Sequence, residues 1–294
     1  MLAGIVQKAM FEDTTCIICG PAPRKGLFIK NSADGTPFQL NKCLECGLQF
    51  IAPRPVESAM RAYYGARYFT TRTERGYDNY FSPEVRREIE RVFELNLKDL
   101  GFYRFEEGLA GPRRSLDIGC AAGYFVNYLK GRGWDAGGID ISGDCVQFAV
   151  RTLGLSVSRG NYLESACTGK FNLITLWATI EHLHRPDLVL EKISNDLAGN
   201  GRLYLSTCRI GGLNYMKLFG RRWRYYNFPE HLFFFSYSAM KRLLHRTGFR
   251  LISYKTYGSG LGRAGSPLKT CADYTAKKLH MGDMMLIAAE KLPT

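Results

Sequence analysis

From Arg113 onward the chain alternates short apolar runs of strand length with amphipathic stretches of helix length. This alternation restricts the fold more than any other feature. Strands joined through helices lie in a mostly parallel sheet covered by helices on both faces. Strands are predicted at 115–118, 135–139, 156–158, 171–177, 201–207, 250–257 and 284–290. Helices are predicted at 124–132, 144–153, 186–197 and 238–247. Ligands of such sheets bind in the crevice outside the carboxyl ends of the strands.

At that end of the first strand stands Leu116-Asp-Ile-Gly-Cys-Ala-Ala-Gly123. Gly119 and Gly123 permit close backbone approach, and the helix after them offers free N–H groups to a ligand. Asp140 ends the second strand, where a carboxylate can accept both hydroxyls of a ribose. The spacing Gly119-Cys-Ala-Ala-Gly123 lacks the G-x-G-x-x-G of dinucleotide sites. Asp117, just before the turn, is a poor neighbour for a pyrophosphate and a good one for an ammonium and a sulfonium. The ligand expected is therefore S-adenosylmethionine and not NAD.

Upstream, Cys16-Ile-Ile-Cys19-Gly and Cys43-Leu-Glu-Cys46-Gly form two matched pairs. Two residues between thiolates let one tight turn aim both sulfurs at a single tetrahedral ion. Short strand-like runs at 27–30 and 38–41 flank a turn at 31–37, which makes a rubredoxin-like ribbon. Zinc is the expected ion, with iron as the alternative, and a closed four-thiolate set is structural and not catalytic. The remaining cysteines, 120, 145, 167, 208 and 271, lack ligand spacing and are read as buried singles.

After Pro53-Arg-Pro55 comes an aromatic stretch with Tyr63, Tyr64, Tyr68, Phe69, Tyr77, Tyr80 and Phe81, read as a lid. Ser82-Pro-Glu84 then starts a helix whose face of Val85, Ile89, Val92, Phe93 and Asn96 packs on the main domain. Three parts follow: ribbon 12–50, helical connector 51–110 and ligand-binding domain 111–294.

The formal charge of +13 falls to about +11 once four thiolates and a divalent ion are counted. A basic surface suits an anionic partner, yet the bases are dispersed, the tightest group being Arg221-Arg-Trp-Arg224. No apolar run reaches membrane-spanning length and the N-terminus carries no export signal, so a cytoplasmic location is expected. The basic segment 268–280 is compatible with peripheral membrane contact.

These motifs together resemble the class I S-adenosylmethionine-dependent methyltransferases that carry an N-terminal zinc ribbon, many of which act on sugars and other small metabolites. Further matches are Gly138-Ile-Asp140, Trp177-Ala-Thr-Ile-Glu-His-Leu183, Leu197-Ala-Gly-Asn-Gly-Arg-Leu203 and Pro229-Glu-His-Leu-Phe-Phe-Phe-Ser236. The resemblance implies a Rossmann-like seven-stranded sheet. Asp117, Gly119, Cys120, Ala121 and Gly123 would cradle the methionine end of the donor, with Asp140 and Ile141 at the ribose. Asn161 and Tyr162 would lie along the adenine, Trp177 and Ala178 would floor the pocket, and Tyr68 would cover it. The chain departs from the family pattern at Ala121, where a glycine is usual, and at Asn161, where an aspartate is.

An oxygen acceptor must lose a proton, and a histidine is the usual agent. His231 is the first candidate base and His182 the second, while His184, His245 and His280 are read as surface or loop residues. Glu181-His182 is also similar to metal-dependent O-methyltransferases of ubiquinone biosynthesis, but Ala178 replaces the further acid of that pattern, so Glu181 is expected to orient a partner and no catalytic magnesium is expected. Acceptor specificity is assigned to the ribbon, the lid and 211–235, where Arg221, Arg222, Arg224 and Tyr226 suit a phosphate or acidic sugar. The expected reaction is methyl transfer to a hydroxyl of a sugar, glycan precursor or related small molecule. C-methylation of a keto-sugar and methylation of RNA or protein are the alternatives, followed by a non-catalytic scaffold.

Overall fold

The N-terminal part of the computed structural model folds as β1 (Phe11–Glu12), β2 (Arg24–Asn31), β3 (Pro37–Cys43), β4 (Gln49–Ile51) and β5 (Arg54–Pro55). Three helices follow, α1 (Glu57–Met60), α2 (Pro83–Asp99) and α3 (Phe102–Glu107). The alternating part comprises β6 (Arg114–Ile118), α4 (Tyr124–Gly131), β7 (Asp135–Asp140), α5 (Gly143–Arg151), β8 (Ser156–Arg159) and β9 (Phe171–Trp177). It continues through α6 (Pro186–Asp196), β10 (Leu197–Cys208), β11 (Phe233–Phe234), α7 (Tyr237–Arg246), β12 (Phe249–Tyr257), α8 (Pro267–Lys278) and β13 (Met284–Lys291). The structure describes residues 10–60, 69, 79–211, 220–258 and 267–293. Tyr63, Tyr64, Tyr68 and Tyr77 of the expected lid lie outside these.

Seven strands form one sheet in the order β12-β13-β10-β9-β6-β7-β8, and β13 runs antiparallel to both its neighbours. Strand order reverses direction between β6 and β9, which opens a crevice at their carboxyl ends. Residues alternate between two cores. Ile174, Leu203, Leu205 and Ile287 face one cluster, while Leu173, Tyr204 and Leu286 face the other. Burial on both faces explains why the strands read as continuous apolar runs. Helix starts are set by serines: Ser82 accepts from the Val85 amide at 3.3 Å and Ser236 from the Ala239 amide at 3.1 Å.

The ribbon is sewn to this sheet. β2, β3 and β4 form a small antiparallel sheet whose fourth strand, β11, comes from far along the chain. Arg54, 4% exposed, pairs with Glu12 at 2.7 Å and donates to the His184 carbonyl at 3.1 Å. Its guanidinium also lies over the Phe233 ring. From α7, Arg242 donates to the Glu45 carbonyl and Arg246 to those of Ile17 and Ile18, so each cysteine knuckle is held by one arginine.

Candidate functional site

The crevice begins at the turn after β6. Gly119, Ala121 and Gly123 all take positive φ, at 71°, 48° and 75°. A Cβ on Gly119 would stand 2.5 Å from Thr179, so only glycine fits there. Ala121 adopts the left-handed conformation without that freedom, and its amide donates to Asp140 Oδ2 at 2.8 Å. Asp140 Oδ1 accepts from the Ser142 amide at 2.7 Å. A carboxylate has about four acceptor sites, so both oxygens retain capacity for hydroxyls.

Asp117 is 4% exposed and accepts from Thr175 Oγ1 at 2.6 Å, across the parallel pairing of β6 and β9. Among the described residues no cation pairs with it. Burial, with the charge of Asp140 added, pushes its carboxyl up to about 8 against the Thr175 hydrogen bond. Burial likewise raises Asp140, against the backbone amides that hold it down. Thr175 was not singled out in the sequence; its signal is the register that sets a hydroxyl opposite an acid.

Further along the crevice, Asn161 caps a short turn by accepting from the Leu163 amide at 3.0 Å, and its Nδ2 donates to Glu57 at 2.8 Å. Tyr162 is buried and its hydroxyl donates to Asp196 at 2.6 Å. Trp177 packs against Phe93 and Phe125. Ala178 has φ 49°, a second strained alanine at the end of a strand. Cys120 is buried behind the turn, where Gly138 leaves room for its sulfur, and Ile141 is exposed at the rim.

Beyond β9 and β10 the structure brings Glu181, His182 and His231 together, their ligating atoms all within 4.8 Å of one another. The two imidazoles meet edge to face with centroids 4.6 Å apart. His182 Nδ1 lies 2.7 Å from the Glu230 carbonyl, which only accepts, so Nδ1 carries a proton. His231 Nδ1 is 3.8 Å from Cys208 Sγ, at the end of β10. Burial pushes that thiol up, so it stays protonated.

His184 stands in a loop, one of the two places read for it, and is buried there: it is 9% exposed, with Nε2 2.9 Å from the Pro55 carbonyl. Two expectations change. Of the cysteines read as buried singles, Cys167 is only partly covered and Cys271 is exposed on α8. Tyr226 cannot hold an anion through its hydroxyl, which is buried and donates to Gln49 at 2.8 Å. Arg221, Arg222 and Arg224 are exposed, with Arg221 over the Phe28 ring and Arg224 over that of Tyr225. His245 and His280 are exposed, as expected.

In the ribbon, Cys16, Cys19, Cys43 and Cys46 converge with all sulfurs within 4.8 Å, those of Cys16 and Cys46 being 3.5 Å apart. Gly20 and Gly47, one after each pair, take the positive φ that the knuckles need. Four convergent thiols with no nitrogen or oxygen donor fit zinc or iron.

A sequence profile of the methyltransferase-domain family matches residues 77–254, more than half of the chain. The chain belongs to that family. It contains an S-adenosylmethionine-dependent methyltransferase domain. A ubiquinone biosynthesis O-methyltransferase of Methylococcus capsulatus is 28% identical over 127 residues, covering 41% of this chain and 53% of that protein. One of Glaesserella parasuis is 28% identical over 120 residues, covering 37% and 50%. The chain thus spans about half the length of the curated relatives it matches. A SAM-dependent methyltransferase from Archaeoglobus fulgidus has the same fold, with TM-score 0.51 at 20% identity over 69% of this chain and 94% of that one. A Pyrococcus horikoshii protein superposes with TM-score 0.51 at 14% identity over 79% and 98%. Among the described residues no helix is long and apolar enough to cross a membrane.

The residues fit the donor that the family uses. A buried carboxyl that pairs with no cation among the described residues suits its ammonium, and a second with spare acceptor capacity suits its ribose.

Proposed function

We propose that the chain transfers the methyl group of S-adenosylmethionine to a hydroxyl of a small, hydroxylated acceptor such as a sugar or glycan precursor. The observation that carries this reading is the meeting of His182 and His231 beside Glu181, next to the end of β10. Asp117, Gly119, Cys120, Ala121 and Gly123 are assigned to the methionine end of the donor and Asp140 with Ile141 to its ribose. Asn161 and the Tyr162 main chain are assigned to the adenine, and Trp177 and Ala178 to the pocket floor. Bound there, the donor supplies an electrophilic methyl on a positive sulfur, and in-line placement of the acceptor supplies much of the rate.

His231 takes the acceptor proton in this scheme. It is carried on a segment wedged between ribbon and sheet, with Phe234 beside it. His182 is the second candidate, its ring oriented by the Glu230 carbonyl. The O-methyltransferase names of the curated relatives support an oxygen acceptor.

Zinc is assigned to the four cysteines, which hold the ribbon's shape; the parts 12–50, 51–110 and 111–294 serve as ribbon, connector with lid, and catalytic domain. The test is incubation with labelled donor and a panel of nucleotide sugars, small phenols and RNA. Label is expected in a hydroxylated small molecule, with transfer lowered about 100-fold or more in His231→Ala. Label in RNA alone would refute the acceptor class, and full activity of His231→Ala with loss in His182→Ala would move the base.

A further inference from the structure

Helix α7 carries exposed bases on one face and no acid to answer them. Its sequence, Tyr237-Ser-Ala-Met-Lys-Arg-Leu-Leu-His-Arg246, contains no carboxylate. Arg242 and Arg246 stand four residues apart, so like charges repel along one face, and Lys241 and His245 run beside them. Other helices match their bases with acids. On α2, Arg86 pairs with Glu90, Arg87 with Glu84 and Arg91 with Glu88, and on α6 Lys192 pairs with Asp196. Among the described residues no carboxylate pairs with Lys241, Arg242, His245 or Arg246.

This face is one wall of an open cleft of about 640 Å³, which Ile18 of the first cysteine knuckle lines from the ribbon side. A volume of that size suits a small organic ligand. From Ser238 to Arg246 the wall runs about 12 Å along the helix. The two arginines are fixed in place: Arg242 Nη1 donates to the Glu45 carbonyl at 3.2 Å, and Arg246 Nη1 to the carbonyls of Ile17 and Ile18. Those bonds engage one nitrogen of each fork. Nε and Nη2 of both have no protein partner among the described residues. A guanidinium held in this way presents donors in the geometry that phosphate oxygens match. Lys241 adds a point charge, and Ser238 a hydroxyl in the first turn of α7, where the helix dipole also favours an anion. Tyr237, packed on Tyr254 with ring centroids 4.3 Å apart, joins Ile18 in giving the cleft an apolar side.

We propose that this cleft binds a soluble organic diphosphate, its phosphates on the two arginine forks and Lys241 and its organic part against Tyr237 and Ile18. Three permanent positive charges call for a ligand with negative charges on adjacent groups, and a diphosphate offers one phosphate to each fork. The cleft shares no lining residue with the donor crevice or the histidine pair, so this site is separate from the one that transfers the methyl group.

The test uses the full zinc-loaded chain saturated with S-adenosylhomocysteine, and titrates UDP by calorimetry at about 50 mM salt, where screening is modest. UDP should bind with a Kd of about 0.3 mM or tighter. In Lys241→Gln, and in Arg242→Lys, which keeps the charge without the fork, affinity should fall about fivefold or more. The ligand-free thermal midpoint of Lys241→Gln should stay within about 2 °C of wild type, because that side chain holds no part of the ribbon. A wild type that takes up no UDP would overturn the proposal. So would uptake that both variants keep in full, which would place UDP in the acceptor site. Citrate bound as tightly as UDP would also overturn it and leave the cleft a general counter-ion surface. Retention on single-stranded RNA in place of UDP, lost in Lys241→Gln, would overturn the ligand class in favour of a polymer.

Discussion

Asp117 is the residue at which protonation and ligand binding are linked most directly. Its folded value of about 8 lies far above the ordinary 3.8, so between these limits the empty folded chain keeps a proton that the unfolded chain gives up. The stability this contributes is complete below about pH 4 and is lost as the pH rises through 8. An ammonium docked beside the carboxyl would favour the charged form and expel the proton. Calorimetry of S-adenosylhomocysteine at pH 7 in buffers of different ionisation heat should then show release of up to about one proton. Asp117→Asn should bind at least about tenfold more weakly and lose that release; an unchanged release would place the proton elsewhere. At Ala121 the prediction concerns strain. Its φ of 48° is one that glycine adopts freely, so Ala121→Gly should raise stability in urea by up to about 1 kcal/mol. The gain is reduced by the greater freedom of glycine in the unfolded chain.

Elements were legible wherever pattern and packing agree. β9 was read with its observed bounds, because a seven-residue apolar run buried on both faces admits little else. Helix α7 was placed within a residue at each end, since Ser236 caps it and Gly248 follows it. The paired cysteines and the turn between them likewise gave the ribbon hairpin. What was not legible is non-local. Nothing in Phe233-Phe234 says that it will pair with Gln49 and Phe50, nearly two hundred residues earlier. Nor does the sequence around His184 say that Pro55 will cover it. Arg54 shows what such non-local contacts contribute. It joins β1, β5, β11 and the loop after β9 through one buried guanidinium. Glu12 is 40% exposed and can rehydrate, so Arg54→Ala should destabilise by about 2–3 kcal/mol and less than a fully buried pair would. Arg54→Lys should recover part of this, because it restores the charge without the fork; chemical denaturation of the three proteins checks the order.

At the scale of the whole molecule the ribbon and the catalytic crevice are one mechanical unit. β11 completes the ribbon sheet and begins two residues after His231, and the His231 amide itself donates to the Asn227 carbonyl in the same segment. Gln49 of β4 receives the Tyr226 hydroxyl, and Lys30 of β2 donates to the Tyr226 carbonyl at 2.6 Å. The proposed base therefore hangs from the ribbon, whereas Asp117 and Asp140 stand on β6 and β7 in the middle of the large sheet. Removing the ion should act unequally on these two halves. Four thiolates released from one divalent cation repel one another, and the knuckles then lose the geometry that Arg242 and Arg246 grip. Chelation, or Cys43→Ser, should lower the thermal midpoint and reduce methyl transfer by about tenfold or more, while affinity for S-adenosylhomocysteine changes by no more than about threefold. Metal analysis should find one ion per chain in the active protein. A chelated protein that kept full transfer would mean that the strand pairing of β4 with β11 holds His231 without the ion. Equal loss of donor affinity and transfer would mean that the ribbon supports the whole sheet and not the acceptor side alone.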